Sequence, residues 1–193
     1  MLLVRLIAYW YASQQFCVKW DHATSGYFTT CNGVRQGGIM SPRLFSMYLD
    51  KLSYLLSSSN VGCFIDGVCM NHYFYADDMC ILAPSASGLQ KLVDICAEYG
   101  IEHDILYHTV KTKCVTFLPK RYKLHVPSVS LNNVVLDYVD KIKYLGVTLS
   151  SSLTDDLDIT RQLRCLYGGA NMLLLKFYRC SKSVKQLLIK SYC

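Results

Sequence analysis

His72-Tyr-Phe-Tyr-Ala-Asp-Asp-Met-Cys-Ile-Leu-Ala83 reads as two short β-rich runs meeting at a pair of carboxylates, Asp77 and Asp78. The runs His72–Ala76 and Met79–Ala83 are aromatic and aliphatic, so the turn between them stands on a packed support. Two neighbouring anions repel, and one tends to take up a proton unless a cation neutralises them. Hard oxygen donors favour Mg²⁺, which binds through one or two carboxylates together with substrate phosphates. Aspartate is also an ordinary turn residue, so taken alone the pair reads first as a plain polar hairpin.

Upstream lies Asn32-Gly-Val-Arg-Gln-Gly-Gly-Ile-Met-Ser-Pro-Arg-Leu-Phe45. Its glycines, Gly33, Gly37 and Gly38, allow backbone to approach a ligand, and a helix N-terminus beyond it suits phosphate. A glycine-rich connector is the plain alternative. Ser41 followed by Pro42 predicts a helix start with the serine as N-cap. Phe45, Tyr48, Leu49, Leu52, Leu55 and Leu56 then form one apolar face, ended by Ser57-Ser-Ser-Asn60. Asp66-Gly67, between Val61–Ile65 and Val68–Met70, predicts a type I′ hairpin.

Before the loop, residues 2–12 read as a helix, and Gln15–Trp20 and Gly26–Thr30 as a hairpin around Asp21–Ser25. After the carboxylates, a second helix starts at Ser87, with Gln90 completing a capping box and Gly100 at its C-terminal cap. Strand-like runs follow at Cys114–Leu118, Val129–Leu131, Val134–Leu136 and Lys143–Leu149. A third helix starts near Thr154, with Asp155, Asp156 and Asp158 at its positive end and a kink expected at Gly168-Gly169. The fold class is α+β.

At 193 residues, 52% hydrophobic and 18% charged, the chain is long enough to bury a core and is not a disordered polymer. No apolar run reaches the ~20 residues that span a bilayer, and the N-terminal stretch is broken by Arg5, so no membrane is expected among its partners. The ten cysteines include no Cys-x-x-Cys pair, which reads as reduced, buried thiols in an intracellular protein. Net charge is +6, and residues 161–193 hold seven Lys/Arg and no Asp or Glu. That concentration attracts a polyanion, or is simply a solvated helix face.

The Gly-Val-Arg-Gln-Gly-Gly-x-x-Ser-Pro block, then Tyr75-Ala-Asp-Asp78, then Lys143-Tyr-Leu-Gly-Val147, resembles a reverse transcriptase of the non-LTR retrotransposon kind, jockey and chicken-repeat-like. The resemblance implies an antiparallel polymerase palm sheet with packed helices over residues 1–150 and a partial helical thumb over 151–193. It implies that Asp77 and Asp78 hold two Mg²⁺ ions, with Mn²⁺ an alternative, and that Lys111 assists the leaving pyrophosphate. Arg35, Gln36, Gly37, Gly38, Tyr75 and Ala76 would line the incoming dNTP and template. Tyr144, Leu145 and Gly146 would grip the primer, and Arg161, Arg164, Lys176 and Arg179 would contact nucleic-acid backbone. The implied partners are an RNA template and DNA primer held as an RNA–DNA hybrid, dNTP, and the fingers and endonuclease regions of a parent protein. The implied compartments are cytoplasm and nucleus.

The family's palm uses three carboxylates, and no strand ending in a suitable Asp precedes Gly33 here; Asp21 is a poor substitute in a turn. The expectation is a fragment of an RNA-directed DNA polymerase that is inactive in isolation. The alternative is a non-catalytic, transposon-derived chain that at most binds nucleic acid. Either way, a palm without its fingers exposes apolar faces and strand edges, which predicts poor solubility.

Overall fold

The computed structural model describes residues 2–30, 33, 35–118 and 126–192. Cys31, Asn32 and Val34 of the glycine-rich block lie outside them, as do Met1 and Cys193. The order is α1 (Leu2–Ala12), β1 (Gln15–Phe16), β2 (Lys19–Trp20), β3 (Ala23–Thr24), β4 (Phe28–Thr29), α2 (Ser41–Ser58), β5 (Cys63–Ile65), β6 (Val68–Met70), β7 (His72–Tyr75) and β8 (Asp78–Ile81). Then come α3 (Ala86–Glu102), β9 (Lys113–Cys114), β10 (Ser130–Leu131), β11 (Val134–Val135), β12 (Asp137–Tyr138), β13 (Lys141–Tyr144), β14 (Val147–Ser150), α4 (Asp156–Lys176) and α5 (Lys182–Tyr192). Helices and short strand pairs alternate, as the α+β reading requires.

Among the described residues the strands pair two by two, without a third strand in any ladder. Only β9 with β12 is parallel. The first hairpin is longer than expected: β1 pairs with β4, and β2, the end of the first predicted strand, pairs with β3 inside the segment read as the turn. That leaves Asp21 and His22 to reverse the chain, with Asp21 at φ 53°. The run Lys143–Leu149 is likewise not one strand. Leu145 and Gly146, at φ 46° and 86°, fold it into the β13–β14 hairpin. Asp66 and Gly67, at φ 50° and 78°, make the type I′ turn predicted for them.

Three helix-end readings change. Ser41 is the first residue inside α2 and Met40 is the N-cap; the serine hydroxyl is turned to the Arg35 carbonyl instead. Ser85, not Ser87, caps α3 by accepting from Gly88 N at 3.1 Å. This frees Gln90 from any capping box, and it bonds both Ser130 N and Ser130 O at 2.8 Å. Gly100 lies within α3 because a side chain there would strike the Tyr107 ring at 2.6 Å and the Ile105 carbonyl at 2.9 Å. The helix α4 runs on through Gly168-Gly169 without a break.

The core is a layer of α2 on α3, with the β7–β8 hairpin against it. Leu49, Leu52 and Leu56 meet Leu92, Cys96 and Tyr99, and Phe74, Met79 and Ile81 close the cluster from the hairpin. A second cluster joins Val93 of α3 to Cys114, Val129, Leu131 and Leu136. Neither includes a residue of α1, α4 or α5, and none of these helices buries a side chain. The chain exposes 15506 Å², against about 9,300 Å² for a compact monomer of its mass. The exposed residues include many large apolar side chains, among them Leu2, Leu3, Trp20, Tyr27, Leu175 and Tyr192. No helix among the described residues is long and apolar enough to cross a membrane.

Candidate active site

The register of the β7–β8 ladder assigns a face to each side chain. His72 pairs with Ile81, Tyr73 with Cys80, Phe74 with Met79, and Tyr75 with Asp78. Phe74, Met79 and Ile81 pack on the core. Strand alternation therefore sets Tyr73, Tyr75, Asp78 and Cys80 on the opposite face. The turn is made by Ala76 and Asp77 alone, so Asp78 belongs to the strand. Ala76 takes the left-handed conformation at φ 51°, which costs a non-glycine residue about 1–2 kcal/mol.

Both carboxylates are exposed. The ion pairs among the described residues, such as Lys51–Glu102, Lys113–Asp137 and Arg161–Asp158, leave them unpartnered. They are hard donors side by side on a supported turn, and their chemistry fits Mg²⁺. No set of three His, Cys, Asp or Glu side chains converges anywhere among the described residues. Two carboxylates can thus supply part of a coordination sphere, with water and substrate phosphates left to complete it.

The support below the turn is a polar lock. Asn71, 1% exposed, donates from Nδ2 to the carbonyls of Leu56 and Val61, both at 2.7 Å. With Nδ2 so engaged, Oδ1 accepts from His72 Nδ1 at 2.7 Å. His72 Nε2 is then the acceptor for the Ser53 hydroxyl, also at 2.7 Å. Burial pushes the His72 pKa down, which favours this neutral form. The network ties the strand carrying the turn to the C-terminal half of α2.

The β13–β14 hairpin approaches the outward face. Burial raises the Tyr144 pKa, and the neighbouring Cys80 and Asp78 add to the shift. These two neighbours share the outward face of the β7–β8 hairpin, which is the side nearer Tyr144. Its phenol oxygen is buried and has no hydrogen-bond partner among the described residues. The turn Leu145-Gly146 that follows is held from the other side by α4. Arg161 Nη2 donates to the Gly146 carbonyl at 2.5 Å, while Asp158 Oδ1 accepts from Thr148 N at 2.9 Å.

The glycine-rich loop is a built turn. Gly38 N donates to Arg35 O at 3.0 Å and Ser41 Oγ to the same carbonyl at 2.5 Å. Gly37 is at φ 79°, the conformation that the third position of a type II turn needs. A Cβ on Gly38 would meet Ser41 Oγ at 2.6 Å. The Arg35 and Gln36 side chains are left exposed. Hydrogen bonds and ion pairs among the described residues do not join this turn to Asp77 or Asp78.

Lys111 lies in the turn after α3, its N–H donating to the His108 carbonyl at 3.0 Å and its side chain exposed. It makes no hydrogen bond or ion pair to the two carboxylates. Of the basic residues near the C-terminus, Arg164 and Lys176 are exposed, and Arg179 stacks over Tyr178 at 5.2 Å. Eight cysteines, among them Cys80 and Cys96, are free thiols; burial pushes Cys96 up to about 12. Sequence reasoning missed Asn71, a polar residue between two apolar runs with nothing to mark it. It also missed the Asp158–Arg161 pair, which the i,i+3 spacing on a helix could have revealed.

The chain belongs to the reverse transcriptase (RNA-dependent DNA polymerase) family, whose profile matches residues 3–149. It is 27% identical over 198 residues to the RNA-directed DNA polymerase from mobile element jockey of Drosophila funebris, covering 92% of this chain and 21% of that protein. To the probable RNA-directed DNA polymerase from transposon X-element of Drosophila melanogaster it is 26% identical over 184 residues, 92% of this chain and 20% of the relative. A Pol polyprotein from the type-2 retrotransposable element R2DM of the same fly is 35% identical over 146 residues, 68% and 13% respectively. The chain therefore spans about a fifth or less of the curated relatives. No solved structure matches it.

Proposed function

We propose that this chain is the palm, over residues 1–150, and the beginning of the thumb, over 151–193, of an RNA-directed DNA polymerase of a retrotransposon. The observation that carries the reading is the β7–β8 turn, where two unpartnered carboxylates stand on a locked support in a chain of this family. Asp77 and Asp78 would hold Mg²⁺, or Mn²⁺ in its place. When bound, the metal supplies positive charge to the attacking primer hydroxyl and to the departing phosphates.

The remaining roles fall to the chain's own side chains. The Arg35–Gly38 turn presents its free guanidinium and amide to the incoming dNTP and template, and Tyr75 and Ala76 flank the primer end. Lys111 carries an exposed ammonium suited to the leaving pyrophosphate. Tyr144, Leu145 and Gly146 hold the primer strand. Arg161, Arg164 and Lys176 of α4, with Arg179 in the turn beyond it, form the basic face read as meeting the phosphates of an RNA–DNA hybrid. The fingers and endonuclease regions of a parent protein would cover the apolar faces of α1 and α4. Cytoplasm and nucleus are the compartments this activity implies.

The concentration of seven Lys/Arg and no Asp or Glu over residues 161–193 favours a second reading, in which the chain binds nucleic acid without catalysis. Primer extension on an RNA template with Mg²⁺ separates the two. Extension that Asp77→Ala abolishes supports the polymerase. Salt-dependent hybrid binding without extension supports the second reading, and no hybrid binding at low salt contradicts both.

A further inference from the structure

Arg161 differs from the other cations of the basic C-terminal segment. Its Nε and Nη2 donate to Asp158 Oδ1 at 3.0 and 2.8 Å, and Nη2 also donates to the Gly146 carbonyl at 2.5 Å. The same Asp158 oxygen accepts from Thr148 N at 2.9 Å. The Asp158 and Arg161 side chains are 16% and 30% exposed. Gly146 sits in the turn and Thr148 in the second strand of the β13–β14 hairpin. One helical ion pair thus grips both the tip and the return strand of that hairpin. Arg164, by contrast, is exposed and takes part in none of the ion pairs among the described residues.

We infer that Asp158 and Arg161 are positioning residues that fix the Leu145–Gly146 turn, and that Arg161 acts on protein backbone and not on a nucleic-acid phosphate. The inference rests on the reading of this hairpin as the primer grip, and it reassigns one of the four residues given to phosphate contact. The geometry explains why an arginine stands here. A planar fork can face a carboxylate and a carbonyl at once, whereas a lysine offers a point charge. Asp158 and Gly146 already take the Nε and Nη2 donors of the guanidinium, which leaves a phosphate only the Nη1 edge and no bidentate fork through Nε. The hairpin's other flank is Tyr144, beside Asp78 and Cys80.

The test compares binding of the full chain to a short RNA–DNA hybrid over a salt series, with backbone hydrogen exchange measured alongside. Arg164→Gln serves as the phosphate-contact reference and should lower the slope of log affinity against log salt by about one. Arg161→Gln should weaken binding several-fold with the slope unchanged, and the charge-preserving Arg161→Lys should weaken it nearly as much. Asp158→Asn and Arg161→Lys should both raise exchange at the Thr148 amide several-fold. Exchange in α3, around Leu92 and Cys96, should stay unchanged and so reports an intact fold.

Arg161→Lys binding like the unmodified chain, together with a slope lowered by Arg161→Gln, overturns the inference. Unchanged exchange at Thr148 in both variants overturns it too. If the unmodified chain fails to bind the hybrid, the proposed function fails, and Thr148 exchange still decides whether the clamp exists.

Discussion

Tyr75 and Asp78 are cross-strand partners on the last rung of the β7–β8 ladder, so the chain reverses in only two residues, Ala76 and Asp77. That places one carboxylate in the turn and the other on a strand whose opposite face is packed on the core. The two adjacent residues are therefore held differently, and the left-handed strain of the reversal falls on Ala76.

The first prediction concerns that strain. Ala76→Val puts a β-branched side chain at φ 51° and should lower stability by about 1–2 kcal/mol. Ala76→Gly removes the steric penalty but adds freedom to the unfolded chain, so the net change should stay below about 1 kcal/mol. Chemical denaturation of the two variants measures both values.

A second prediction concerns the lock beneath the turn. Asn71→Ala leaves the Leu56 and Val61 carbonyls and the His72 ring without their partner. At about 1–3 kcal/mol for each buried group left unsatisfied, the loss should exceed ~2 kcal/mol. Gly62→Ala should be at least as damaging, because its Cβ would lie 2.2 Å from Asn71 Cβ and its φ is 135°. Thermal unfolding of both proteins, with Leu52→Ala as a plain cavity reference at roughly 2–5 kcal/mol, provides the comparison.

The β5–β6 and β7–β8 hairpins and the two core helices were legible in the sequence because their signals are local, whereas the β13–β14 hairpin lay inside a run read as one strand. Asp66-Gly67 can hardly avoid a turn with positive φ, and the Phe45–Leu56 spacing can bury only one face. Helix ends were read less well. Ser41 and Ser87 both look like caps, yet a hydroxyl caps only where the chain direction leaves an amide within reach, and the Arg35 carbonyl competed for Ser41. Gly100 looked like a terminator and is a contact point for Tyr107, a relationship set by tertiary packing. The site's motif residues were visible as a pattern, but that Tyr144 faces the Asp78 side, and that Arg161 reaches Gly146, depended on how separate elements meet.

The third prediction is a pH dependence. Burial lowers the His72 pKa, while an unfolded histidine titrates near ~6.5. Between the two values the unfolded chain binds more protons, so stability is full above the unfolded value and declines as pH falls through the folded one. His72→Gln should flatten that decline, seen as denaturation midpoints that differ less between neutral and mildly acidic buffer.

Asp158 supplies a separate window further into acid. Hydrogen bonds from Thr148 N and then Arg161 hold its carboxyl below the ordinary carboxylate range. Its contribution is present above the unfolded carboxylate pKa and is lost as pH falls through the lower folded value. The protection of the Thr148 amide, taken relative to its intrinsic exchange rate at each pH, should therefore fall in that acid range, and Asp158→Asn should remove the transition.

The uncovered faces of α1 and α4 predict self-association. The chain alone should elute as a broad, concentration-dependent species in gel filtration, and a single monodisperse, cooperatively melting peak would contradict this.

The most direct test of the account is Mn²⁺-induced relaxation of backbone amide signals, with the RNA–DNA hybrid and a dNTP present. The account predicts broadening centred on Ala76–Met79 that disappears in the Asp77→Asn/Asp78→Asn double variant. Broadening elsewhere, or broadening at the turn that survives loss of both carboxylates, would contradict it.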